Sequence, residues 1–144
     1  AGLSIAVYDE TGDWGALGLV EHLSASGAKV VLLTPAGGVL WRTTIYSSTT
    51  TFARWRERKI RIRSFRRPLA LDGKRLLLED TSCGERETLE GIDRLIAVVP
   101  PRADDGLEAL LANTGIACSA VGDCVAPRNA LEAIFEGHRS GRLV

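Results

Sequence analysis

"LSIAVYDETGDWGALGLVEHLSASGAKVVLLTP", residues 3–35, places two apolar runs on either side of a glycine-marked turn and an amphipathic stretch. Leu3 to Tyr8 is short, apolar and β-compatible, and it stops at Asp9. From Gly15, the residues Ala16, Leu17, Val20 and Leu23 recur at helical spacing, and Gly27 supplies the residue that most readily ends a helix. Lys29 to Thr34 is again almost continuously apolar and is stopped by Pro35. Strand, helix and strand in about 35 residues make a βαβ unit, whose parallel strands are covered on both faces and therefore lack polar alternation.

Outward from this unit the pattern changes. After the loop "TPAGGVL", residues 34–40, Ser47 and Ser48 with the following threonines are expected to cap a helix running to about Lys59. Ile60 and Ile62 then alternate with charged residues, and Asp72-Gly73 sits between two apolar runs, a hairpin signal. These features predict an antiparallel meander over residues 60–90. A buried strand is expected at residues 94–99, a helix over 102–113 with Leu107, Leu110 and Leu111 on one face, and a short strand at 116–121. A final helix follows, with Ala130, Leu131, Ile134 and Phe135 as its apolar face. The fold class expected is a three-layer α/β sandwich with an antiparallel meander. The strands at 94–99 and 116–121 either join the first sheet or lie apart from it.

The 144 residues suffice for one ordinary domain. Eighteen basic residues balance eighteen acidic ones, so nothing global draws the chain to nucleic acid or to an anionic membrane. No run approaches the roughly 18 apolar residues of a membrane span, and no signal-peptide layout opens the chain. Cys83, Cys118 and Cys124 form no CxxC pair, which points away from a disulfide framework or a structural zinc site and towards a cytoplasmic home. His22 and His138 fall in no triad or metal-ligand spacing. The chain opens on Ala1 and contains no methionine, which leads us to expect a domain cut from a longer protein.

Two places carry chemistry. The first βα turn holds Gly12, Gly15 and Gly18, spaced G-x-x-G-x-x-G, with Trp14 in the loop. A dinucleotide fingerprint is G-x-G-x-x-G followed by an acid at the end of the second strand, where this chain offers only Thr34. The turn is thus either a weak nucleotide seat or a plain structural βα turn. The second place is Gly122-Asp123, expected at the carboxyl end of a strand, where open α/β sheets put their ligands. Asp123 serves there either as a ligand contact or as a helix N-cap. A third feature, "RWRERKIRIRSFRR" at residues 54–67, interleaves eight cations with Trp55 and Phe65. Such a run either binds single-stranded nucleic acid or forms solvated helix and strand faces, and the balanced net charge favours the second.

As a whole the chain resembles the C-terminal portion of the flavin oxidoreductases related to trimethylamine dehydrogenase and 2,4-dienoyl-CoA reductase. The stretch "VYDETGDWGALGLVEHLSASGAKVVLLTP", residues 7–35, looks like that family's strand, Asp-x-x-Gly turn, helix and strand. The stretch "AVGDCVAPRNALEAIFEGHRSGR", residues 120–142, looks like its closing motif, and "IDRLIAVVPP", residues 92–101, is similar to its re-entry strand, although Val99-Pro100-Pro101 replaces the usual turn there. The resemblance implies a Rossmann-like architecture with residues 1–92 as a pyridine-nucleotide-binding-like domain and residues 93–144 as the return segment of an FAD- or ADP-binding domain. It implies FAD or ADP and NAD(P)H at this region, with Gly12, Trp14, Gly15, Gly18, Thr34, Gly122 and Asp123 as the cofactor-contacting positions. Asp123 would accept a hydrogen bond from a flavin ribityl hydroxyl, and the amides opening the following helix would face a phosphate. FMN and an iron–sulfur cluster are implied only for an N-terminal barrel of the parent chain, which is the expected partner. No catalysis is expected from the 144 residues alone, and a nucleic-acid-binding module acting through residues 54–67 is the rival reading.

Overall fold

The computed structural model describes residues 2–112 and 114–143, which fall into two compact units, residues 1–100 and residues 101–144. In the first unit, β1 (Ser4–Asp9), β2 (Lys29–Leu33), β3 (Arg61–Arg63) and β7 (Arg94–Val98) form a parallel sheet in the order β3-β2-β1-β7. Helices α1 (Trp14–Ala25) and α2 (Ile45–Glu57) connect β1 to β2 and β2 to β3. Strands β4 (Arg66–Asp72), β5 (Arg75–Asp80) and β6 (Arg86–Glu90) form a separate antiparallel sheet.

Side-chain alternation sorts the core into two halves, one on each face of the parallel sheet. Ile5, Val7, Val30 and Leu32 pack with Leu17 and Val20 of α1 and Trp55 of α2. Ala6, Tyr8, Val31 and Leu33 pack with Leu76 and Leu78 of β5 and with Ile92. Helices, parallel sheet and meander are therefore three successive layers, as the sequence predicts. The near-continuous apolar character of β1 and β2 follows directly, because odd and even positions alike face a core. Asp13 caps α1, its side chain accepting from the Gly15 amide, and Gly27 beyond its end takes a left-handed φ of 84°.

Four expectations change. The N-cap of α2 is Thr44, whose hydroxyl accepts from the Ser47 amide at 3.3 Å, so the helix starts before the serines expected to cap it. Strand β3 pairs parallel with β2, Leu32 opposite Ile62, so the meander begins only at Arg66. Strand β7 pairs parallel with β1, Val7 opposite Ile96, which carries the first unit through Pro100 rather than to residue 92. In the second unit, α3 (Gly106–Leu111) and α4 (Ala130–Gly141) form, but residues 116–121 are not a strand. A strand exists only by pairing, and no neighbouring strand lies beside that run among the described residues. No helix among the described residues is long and apolar enough to cross a membrane.

Charged groups tie the meander to the loops beside it. Glu87 receives Arg63 at 2.9 Å and also Arg66, which reaches on to Asp80. The Ser82 hydroxyl and amide, then Arg66, hold the Asp80 carboxyl down to about 2 from an ordinary 3.8. Arg66 and Arg63 likewise hold Glu87 below its usual range. A depressed carboxyl stabilises the fold fully above its unfolded value and ceases to do so as pH falls through its folded value. Asp80 should therefore contribute above about pH 4 and lose its contribution towards about pH 2. Thermal melts of the chain and of Asp80→Asn at pH 6 and at about pH 2.5 check this. The variant should melt lower at pH 6 and fall less steeply on acidification, and parallel declines would show that Asp80 is not a source of the acid sensitivity.

Candidate functional site

The order β3-β2-β1-β7 makes β1 the strand from which the chain departs to both sides, and ligands of open α/β sheets lie outside the carboxyl ends of the strands at such a point. The Glu10 amide donates to Val98 O at 2.9 Å and joins the ends of β1 and β7 there. The turn that follows is organised by Asp9, which is fully buried. Its Oδ1 accepts from the Thr11 amide at 2.8 Å, the Thr11 hydroxyl at 2.8 Å and the Gly12 amide at 3.0 Å, and its Oδ2 also reaches the Gly12 amide at 3.2 Å. Asp13 Oδ1 accepts from the Gly15 amide at 3.0 Å and the Thr11 hydroxyl at 3.1 Å.

Gly12 is required for two reasons. Its φ is 64°, and a Cβ there would lie 2.3 Å from the ring of Trp41. The Arg42 amide donates to Gly12 O at 2.9 Å and anchors the Trp41 segment over the turn. Gly15 and Gly18 are less constrained. A Cβ on Gly15 would meet only Asp13 Oδ1 at 3.4 Å, and one on Gly18 would meet nothing within 4 Å. Trp14 projects outward, 58% exposed. Thr34 is buried, donates its amide to Arg63 O at 3.1 Å and accepts from the Ala36 amide at 3.3 Å through its hydroxyl. Its polar groups thus serve the β2–β3 and loop connections.

Gly122, Asp123 and Cys124 form a single 3₁₀ turn in the second unit. Gly122 is buried at a φ of 70°, and its amide donates to Glu136 Oε2 at 2.8 Å. Arg128 pairs with the same Glu136, and it and the Gly122 amide hold that carboxyl below its usual range. Asp123 is exposed and is not the cap of α4. That cap is Asn129, whose Oδ1 accepts from the Leu131 amide at 2.9 Å and the Glu132 amide at 3.3 Å. The α4 amides expected to face a phosphate are therefore partly taken by the chain itself, whereas the Asp123 carboxyl remains open to a hydroxyl donor.

In the basic run, Arg54 pairs with Glu21 at 2.7 Å, Arg58 donates to Glu21 O at 3.2 Å, and Arg63 and Arg66 belong to the Glu87 network. Of the run's two aromatics, Trp55 is 1% exposed and Phe65 is 42% exposed. The two aromatics are therefore not presented together as a stacking platform, and this geometry gives single-strand binding no support.

No family model matches the chain, and no curated protein matches it. Solved structures do. Histamine dehydrogenase from Rhizobium sp. 4-9 superposes with a TM-score of 0.82 at 23% identity, over 100% of this chain and 23% of that one. The 6-hydroxypseudooxynicotine amine oxidase of Pseudomonas geniculata N1 gives 0.81 at 19% identity, over 97% and 22%, and a 2-naphthoyl-CoA reductase gives 0.75 at 19%, over 99% and 21%. The chain shares its fold with these oxidoreductases. They are of the trimethylamine dehydrogenase and dienoyl-CoA reductase group that the sequence resembles. The chain spans less than a quarter of the length of each.

Two features of the first turn escape a reading for glycines alone. Glu10, Gly12 and Gly15 keep the G-x-G-x-x-G spacing with a glutamate in the first place, so the fingerprint is interrupted by substitution and not by a shift. Asp9, the buried organiser, is visible in the sequence only as the acid that ends β1. Nothing near Trp41 in the sequence announces that its ring covers Gly12.

Proposed function

We propose that the chain works as the C-terminal nucleotide-binding-fold region of a flavin-dependent oxidoreductase of the dehydrogenase, amine oxidase or acyl-CoA reductase type. The observation that carries this reading is a match spanning the whole chain, both units included, at a TM-score of 0.82. In this reading the rest of the parent polypeptide, including a barrel that holds FMN and an iron–sulfur cluster, is the partner and selects the substrate. An FAD or ADP nucleotide is contacted through Gly122 and Asp123, and the location is cytoplasmic. A flavin supplies hydride acceptance when bound. This chain's contribution is to accept a hydroxyl hydrogen at the exposed Asp123 carboxyl and to hold the backbone before it, at Gly122, through the Gly122–Glu136–Arg128 linkage.

The chain alone offers neither an acid–base pair at this position nor enclosure of a reacting ring, so hydride transfer by it is not expected. Steady-state assay with NADH or NADPH and a dye should give background rates. Titration with ADP, followed by amide resonances, should move Gly122, Asp123 and Cys124 with an affinity of high micromolar or weaker, and Asp123→Ala should abolish the shifts. Turnover above background, or ADP binding that leaves these amides unmoved, would refute the proposal.

A further inference from the structure

The β1–α1 turn lies where a nucleotide pyrophosphate would sit, at the carboxyl end of the central strand and before a 12-residue helix. A pyrophosphate needs free amide donors, close approach to a glycine and no competing negative charge. Residues of this chain work against each requirement. The Thr11 and Gly12 amides are held by Asp9, and the Gly15 amide is held by Asp13. The space above Gly12 contains the Trp41 ring, kept there by the Arg42 amide on Gly12 O. Asp9, Glu10 and Asp13 put three carboxyl groups into five residues of loop.

We infer that this turn is a self-liganded seat, in which Asp13 takes the place of an anion at the Gly15 amide, Asp9 satisfies the Thr11 and Gly12 amides and Trp41 plugs the glycine approach, so that the first unit excludes dinucleotides. The inference goes beyond the proposed function and rests on the turn geometry alone. The nicotinamide nucleotide contact implied for Gly12, Trp14, Gly15, Gly18 and Thr34 does not fit these residues as they stand. The plug is removable, because the obstructing groups of Asp13 and Trp41 are side chains and the turn's glycine, Gly12, already has a φ of 64°. Asp13→Ser would keep a helix cap and remove the charge. Trp41→Ala would clear Gly12.

The test is titration of the 144-residue chain and of the Asp13→Ser/Trp41→Ala variant with inorganic pyrophosphate and with ADP, followed at the Gly12 and Gly15 amides. In the unaltered chain these amides should not move, whatever happens at Gly122 to Cys124. In the variant they should shift saturably, with pyrophosphate affinity raised about tenfold or more, the size expected for removing one competing charge and freeing a helix amide. A folded variant that gains nothing, or saturable shifts at Gly12 and Gly15 in the unaltered chain at micromolar ADP, would overturn the inference. Hydrogen exchange gives an independent reading on the single variant Asp13→Ala. The Gly15 amide should exchange slowly in the unaltered chain and about tenfold faster in the variant, and equal rates would show that Asp13 does not hold it.

Discussion

Trp55→Ala should destabilise the first unit by about 3–5 kcal/mol, the range for removing a large buried aromatic side chain. The residue sits on α2 and is 1% exposed, and it fills the space between that helix and Ile5, Val7, Leu17, Val20, Val30 and Leu32. Beyond Thr51, no other residue of α2 is buried, so the indole is the helix's main hold on the sheet. Near 100 residues each kcal/mol is worth about 4–8 °C, and the melting midpoint should fall by roughly 12 °C or more. Trp55→Phe separates packing from polarity. The indole Nε1–H is buried without an acceptor, while Phe52 stands edge-on at 6.0 Å between ring centroids. Removing that N–H forfeits no hydrogen bond, so the Phe variant should lose less than half of what the Ala variant loses. Equal losses in thermal and urea melts would mean that a phenyl ring recovers none of the packing and that the full indole volume is needed to hold α2 in place.

The same residue shows what could be learned from sequence and what could not. Within "RWRERKIRIRSFRR" Trp55 looks like one of two aromatics interleaved with cations, and only the tertiary structure turns it inward while Arg54 and Arg58 reach α1. Strands β1 and β2 were legible because burial on both faces leaves an uninterrupted apolar run that few other environments tolerate, and β7, only partly buried at the sheet edge, was legible from its apolar run Leu95 to Val98. Strand β3 was not, since Arg61-Ile62-Arg63 shows the alternation of any half-exposed strand and says nothing about the partner or its direction. Residues 116–121 carry β-compatible side chains, but propensity without a neighbour makes no ladder. At the candidate site the glycines mark the turn correctly. Their use depends on Trp41, brought to Gly12 by a loop 29 residues further along the chain, and contacts at that separation leave no local pattern.

Asp9→Ala should cost about 3 kcal/mol, because it strips the carboxyl from a turn built around it. Each hydrogen bond to a charged group is worth about 1.5–3 kcal/mol, and a donor left buried without a partner costs about 1–3 kcal/mol. The Gly12 amide is buried and donates only to Asp9, so it is left without its acceptor; the Thr11 amide loses its acceptor at 2.8 Å, while the Thr11 hydroxyl keeps Asp13 Oδ1 at 3.1 Å. Release of a carboxyl from full burial offsets part of this loss, which keeps the expected figure below the sum of the bonds. Asp9→Asn retains an oxygen for the three donors that meet Oδ1 but turns a donor towards the Gly12 amide where Oδ2 stood at 3.2 Å. Its cost should be about 1 kcal/mol, one net hydrogen bond. Urea denaturation of the chain and both variants, with amide exchange at Gly12, checks the order. Gly12 should lose protection in Asp9→Ala and keep most of it in Asp9→Asn. If Asp9→Ala were as stable as the parent chain, the Asp9 hydrogen bonds would not be what fixes the turn, and the position of Gly12 beneath Trp41 would have to be held by the Arg42 amide alone.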